Sequence, residues 1–146
     1  MAHADHTVTI ARPIDEVFAY LADGANNPYW RTGVVQIHRT SAADGAGATY
    51  RQVLQGPGGR RIDGDYRVTG YQPPHLLEFA VTAGPARPTG RFELHQAGPA
   101  GTRVTLSLDL VPKGLLRLMD PMVARTMRAE VRQLAHLKQV LEATGR

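Results

Sequence analysis

The feature that most constrains this chain is a change of hydrophobic period at about residue 112. Upstream of it, apolar and polar residues alternate in runs separated by Gly/Pro clusters. A period of two sends successive side chains to opposite faces of a strand. Asp44-Gly45 and Gly47 precede a predicted strand at 48–55, and Gly56-Pro57-Gly58-Gly59 leads into one at 60–71. Gln72-Pro73-Pro74 precedes 75–83, Gly84-Pro85 precedes 88–96, and Gly98-Pro99-Ala100-Gly101 precedes 102–111. Short turns join antiparallel neighbours, so the stretch reads as a meander. Downstream, Met122, Val123, Met127, Val131, Leu134, Leu137 and Leu141 recur at steps of three and four, the signature of an amphipathic helix. Asp120-Pro121 suits its start, because Asp caps and Pro tolerates the first turn. Gly145 suits its end, and 113–119 reads as a turn leading in.

The alternation also says which side faces in. Ile62, Gly64, Tyr66 and Val68 share one face, against Arg61, Asp63, Asp65, Arg67 and Thr69. Leu77, Phe79 and Val81 oppose Glu78, Ala80 and Thr82, and Gly90, Phe92 and Leu94 oppose Arg91, Glu93 and His95. Val104, Leu106, Leu108 and Leu110 oppose Arg103, Thr105, Ser107 and Asp109. One apolar face and one wet face describe a sheet covered on one side, with the helix stripe as its cover. The outward charges are read as cross-strand ion pairs, each worth little.

The N-terminal part adds a strand at 6–12 with Val8 and Ile10 on one face. A helix at 13–22 follows, with Ile14, Val17, Phe18 and Leu21 on its apolar side and Asp15 and Glu16 near its positive end. Residues 23–28 form a breaker cluster, Tyr29-Trp30 a second helical turn ended by Gly33, and 34–40 a strand with Val35 and Ile37 on one face. Strands followed by a helix give an α+β layout. The expectation is one domain over 1–146: a curved antiparallel sheet of about six or seven strands, two short helices after the first strand, and a long C-terminal helix.

Composition narrows the function classes. The chain of 146 residues has no cysteine, which excludes disulfides and thiolate chemistry. The net charge of +4 invites nucleic acid, but Lys113 and Lys138 are the only lysines and the arginines form no dense run. No nucleic-acid partner is expected. The opening Met1-Ala2-His3-Ala4-Asp5-His6 lacks the basic and apolar parts of a signal peptide, and no apolar run reaches membrane-spanning length. A cytoplasmic protein without integral membrane association is expected, as a monomer or homodimer. The histidines have no partners at metal-ligand spacing, so neither metal nor cofactor is expected.

Four local stretches carry a family resemblance. They are Ile10-Ala11-Arg12-Pro13-Ile14-Asp15-Glu16-Val17-Phe18, Trp30 after Asn27-Pro28, Gly101-Thr102-Arg103-Val104-Thr105, and Leu134-Ala135-His136-Leu137-Lys138-Gln139-Val140-Leu141-Glu142. In this order they resemble the helix-grip (SRPBCC) superfamily of START lipid-transfer domains, birch-pollen-allergen-like proteins and polyketide cyclase/dehydrase-type members. The resemblance implies a cavity between the concave sheet and the long helix. Tyr50, Gln52, Tyr66, Phe79, Phe92, Leu106, Met119 and Met127 would line it, with Trp30 near its entrance. The competing reading is that these residues fill a solid core.

Three functions follow, in order of preference. The first is binding of a hydrophobic or aromatic small molecule of polyketide, lipid or quinone type. The second is a cofactor-independent cyclase or dehydratase-like enzyme using Tyr50, Tyr66 and Glu130 as acid–base groups. Glu130 lies near the edge of the helix stripe, where facing water competes with facing inward and is favoured. His38 and His136 are expected to point away from the cavity. The third is a protein-interaction module presenting Arg125, Arg128 and Arg132.

Overall fold

The computed structural model describes residues 2–84, 86–111 and 120–144. Its sheet runs β1 (Ala2–Ile10), β8 (Gly101–Leu110), β7 (Thr89–Ala97), β6 (Leu76–Val81), β5 (Tyr66–Gln72), β3 (Thr49–Gln55), β2 (Val34–Arg39), with β4 (Arg61–Asp63) also on β3. Every pairing is antiparallel, and the sheet curls into a half-barrel. Helices α1 (Ile14–Ala22) and α2 (Asn27–Trp30) follow β1, joined by a 3₁₀ turn at Gly24–Asn26. The C-terminal helix comprises α3 (Asp120–Arg132) and α4 (Leu134–Thr144). It packs on β1 and β8, and α2 meets α4.

The parity reading holds on the later strands. Leu77, Phe92, Leu94, Val104, Leu106, Leu108 and Leu110 are buried, and so are Met127, Val131, Leu134, Leu137 and Leu141 from the helix stripe. Outside, Arg91 donates to Glu78 opposite it at 2.8 Å and to Glu93 at 3.1 Å, a surface ion-pair cluster of the kind expected. Glu142 and Arg12 fasten the last helix to the first strand. The Glu142 carboxylate accepts from the Ala11 amide at 2.9 Å and from Lys138 at 2.7 Å, while Arg12 Nε donates to the Leu141 carbonyl at 2.9 Å.

Four expectations need correction. The first strand starts at Ala2, well before residue 6, and pairs along its whole length with β8. Ala2 and Ala4 are poor strand formers on their own, but they are buried on a strand that the C-terminal helix packs against, where small side chains allow close approach. The predicted strand 60–71 is interrupted at Gly64-Asp65, which divides it into β4 and β5 and brings the count to eight. There the Asp65 carboxylate accepts the Gln52 backbone N–H at 3.1 Å and the Asp65 carbonyl accepts the Thr82 backbone N–H at 2.7 Å. Asp65 is therefore a structural acceptor at the break, not a member of an outer ion pair.

Val35 does not share the face of Ile37. A bulge between Val34 and Gln36 shifts the register, leaves Val35 42% exposed, and keeps Val34 and Ile37 partly buried. The last helix is interrupted at Gln133, whose backbone N–H bonds to the Glu130 carbonyl at 3.1 Å, a tightened i−3 turn. The side chain of Gln133 meanwhile donates to Thr32 Oγ1 at 2.8 Å. The apolar stripe continues across the interruption, so packing survives where the helical ladder does not.

Candidate ligand cavity

The inner face and the C-terminal helix do not meet everywhere. Between them lies a cavity of about 330 Å³. Its floor is Leu54, Val68, Leu77, Phe79, Val81, Phe92, Leu108 and Leu110 from five strands. Leu21, Ala22, Asn27 and Trp30 from α1 and α2 close one side, and Val123, Met127 and Glu130 from α3 form the cover. The sheet contributes because its curvature turns the alternate apolar residues toward one another.

Two glycines let aromatic rings reach the wall. Gly90 stands opposite Phe79, and a Cβ there would strike that ring, with Phe79 Cε2 at 2.7 Å. Gly24 carries no side chain because the Tyr66 hydroxyl and the Tyr50 ring press against it, Tyr50 Cε1 at 2.6 Å from where a Cβ would be. Tyr50 and Tyr66 stack at 5.0 Å, Phe79 meets Tyr66 edge-on at 5.8 Å, and Phe92 lies tilted against Phe79 at 5.8 Å.

Polar groups gather at one end. Asn27 Nδ2 donates to Gln52 Oε1 and to the Tyr66 hydroxyl, each at 3.1 Å, and Gln52 Nε2 donates to the Gly64 carbonyl at 3.3 Å. Burial pushes the Tyr66 phenol well above its ordinary pKa; the Asn27 hydrogen bond opposes this but does not cancel it. Tyr66 is protonated at neutral pH, and its oxygen accepts the Asn27 N–H. Arg31 lines the same space and reaches Glu130 at 3.4 Å.

The expected site residues divide as follows. Trp30, Gln52, Tyr66, Phe79, Phe92 and Met127 line the cavity, and so does Glu130. Trp30 is buried in the wall, edge-on to Phe92 at 6.1 Å, with no partner for Nε1 among the described residues. Tyr50 does not line the cavity. It stands behind Tyr66, its hydroxyl taken up by Gly24 N–H at 3.3 Å and the Ala22 carbonyl at 3.5 Å. Leu106 is buried in the core two residues along β8 from the lining Leu108, because the opening does not run the full length of that strand. Met119 lies outside the described residues. His38, His136, Arg125, Arg128 and Arg132 are exposed. Sequence reasoning missed Asn27 and Arg31. Asn27 sits in a run that reads as a breaker, and nothing local distinguishes it, at 7% exposure, from the more open Asn26.

This architecture has relatives. A family model described as polyketide cyclase/dehydrase and lipid transport matches residues 1–142. The chain belongs to this family. Within the wider fold, a protein of Thermus thermophilus superposes with a TM-score of 0.79 at 21% identity, covering 98% of this chain and 99% of that one. The Zhui aromatase/cyclase of a Streptomyces species gives 0.72 at 21% identity over 97% and 91%. A START superfamily protein of Mycobacterium smegmatis gives 0.69 at 19% over 98% and 96%. No curated protein matches significantly. At these identities the structural likeness establishes the helix-grip fold alone. Among the described residues, no helix is long and apolar enough to cross a membrane.

Proposed function

We propose that this chain binds a compact hydrophobic or aromatic molecule, of polyketide, lipid or quinone type, between the sheet and the C-terminal helix. The observation that carries this reading is the apolar space itself. Residues of six strands and three helices surround about 330 Å³, and most of the lining is apolar. Ligand sites have this character, and their volumes run from about 300 to 1,000 Å³. The space is at the small end of that range, which points to a ligand of one or two fused rings or a short chain.

Binding is preferred to catalysis on the state of the titratable groups. Tyr66 holds its proton, and the Glu130 carboxylate is engaged by Arg31. Neither is poised as a free base. The presence of both in one cavity supports the enzyme reading as the alternative, a cofactor-independent cyclase or dehydratase-like activity. Glu130→Gln separates the two: loss of turnover with binding retained is the enzyme outcome.

The test of binding is native mass spectrometry of the purified protein, followed by thermal melts with naphthalene, tetralin and decanoic acid. A ligand at a hundred times its Kd adds about 2.7 kcal/mol to stability, an easily read shift. Val81→Trp, which fills the cavity from its wall, should abolish the shift. No shift with any probe and no co-purifying molecule would overturn the reading.

A further inference from the structure

We infer that the cavity recognises a carbonyl oxygen through the Tyr66 O–H, and that Gly64, Gln52 and Asn27 set the direction of that hydrogen bond. This rests on the binding reading above and names the chemistry the ligand must carry.

The backbone carbonyl of Gly64 fixes the polarity of the chain of hydrogen bonds. The Gly64 oxygen can only accept, so the atom of Gln52 facing it at 3.3 Å is the amide nitrogen. That orientation turns Gln52 Oε1 toward Asn27. The atom of Asn27 facing it at 3.1 Å must then be Nδ2, which also meets the Tyr66 oxygen at 3.1 Å. The reverse orientation of either amide would set two acceptors against each other. The relay therefore ends with the Tyr66 oxygen receiving a hydrogen bond, and the Tyr66 proton must be directed elsewhere.

Among the described residues nothing accepts that proton. The nearest phenol, Tyr50, is occupied by Gly24 and Ala22. The remaining ring neighbour, Phe79, is apolar. Gly24 presses on the phenol and, with the Tyr50 stack, holds it in place. The half-buried O–H has no acceptor among the described residues, and the space beside it is the cavity that Tyr66 lines. A phenol is protonated across the neutral range, and burial only strengthens this, so the O–H stays available to a ligand. A neutral donor in apolar surroundings suits a neutral acceptor such as a ketone or quinone oxygen. A hydrocarbon of the same shape leaves it unpaired.

The experiment uses 1-tetralone and tetralin, which share a ring skeleton and differ at the carbonyl. Calorimetry on the full chain should show tetralone binding about tenfold tighter, the effect of one neutral hydrogen bond. Tyr66→Phe should erase that preference, bringing the two affinities together. The infrared C=O stretch of bound tetralone should lie below its value in hexane for the wild type and return toward it in Tyr66→Phe. Equal affinities in the wild type would overturn the inference and leave apolar binding standing. A preference that survives Tyr66→Phe would assign the carbonyl to another group and overturn it too. Failure of both probes to bind would remove the binding reading for ligands of this size and the inference with it. Should Tyr66→Phe not fold, a wild-type stretch equal to that in hexane is refutation enough.

Discussion

Gly90→Ala tests how the cavity wall is built. Gly90 is buried on the inner face between Phe79 of β6 and Leu108 of β7's other neighbour, β8. The three atoms nearest an added Cβ all belong to the Phe79 ring, with Cε2 at 2.7 Å and the others closer. Ordinary contact needs well over 3 Å, so the ring must move by about 1 Å, and the space available to it is the cavity. Overpacking of this kind costs about 1–3 kcal/mol. Removing a glycine from a strand interior returns roughly 0.5–1 kcal/mol. The net loss should be about 0.5–2 kcal/mol, or a Tm lower by about 2–8 °C for a domain of this size. Because the ring enters the cavity, affinity for tetralin should fall by about fourfold, the worth of roughly one displaced methyl group at about 0.8 kcal/mol. Thermal melts and calorimetry on Gly90→Ala, Phe79→Leu and the double variant provide the assay. The pair is in direct contact, so Phe79→Leu should recover stability in the Gly90→Ala background by a coupling above about 0.5 kcal/mol. Additive losses, or a Gly90→Ala protein with unchanged Tm and affinity, would show that the ring does not depend on the missing Cβ.

Three further outcomes are expected. His3 bridges Asp109 at 2.6 Å and Asp5 at 2.8 Å, and these carboxylates, Asp109 foremost, raise its pKa above 6.5. Its contribution is therefore full below the unfolded value of 6.5 and lost as pH rises through the higher folded one, so the stability difference between wild type and His3→Gln, read by urea unfolding, should shrink as pH rises above 6.5. Glu130→Gln should cost no more than about 1 kcal/mol, because the Arg31 pair is partly exposed; a larger loss in thermal melts would mean the pair holds α3 in place. Leu134→Ala removes a fully buried side chain beside the helix interruption and should cost about 2–5 kcal/mol with an unchanged denaturant slope; a loss under about 1 kcal/mol would show that the site collapses around it.

The legible part of this protein was the part governed by local period. Phe92, Leu94, Val104, Leu108 and the stripe from Met127 to Leu141 declared their faces by spacing alone, and the structure buries them. The failures share a different cause. Ala2 and Ala4 extend β1 because β8 and the C-terminal helix hold them there, not because alanine favours a strand. Val35 turns outward through a one-residue bulge, which no alternation pattern announces. Tyr50 and Tyr66 look alike in sequence, both inward on neighbouring strands, yet their stacking makes one the support and the other the wall.

The sequence by itself determined the layers: an antiparallel meander with one apolar face, an amphipathic C-terminal helix to cover it, and the chain order of the helix-grip family. These follow from periods of two and about 3.6, which act within a few residues. Only the tertiary structure decided that the cover leaves about 330 Å³ unfilled, and that Asn27, Gln52 and Tyr66 converge beside it. A cavity is a difference between two large packed surfaces. Its volume depends on where Gly24 and Gly90 allow rings to sit and on how closely α3 approaches, and these are distances between residues far apart in the chain.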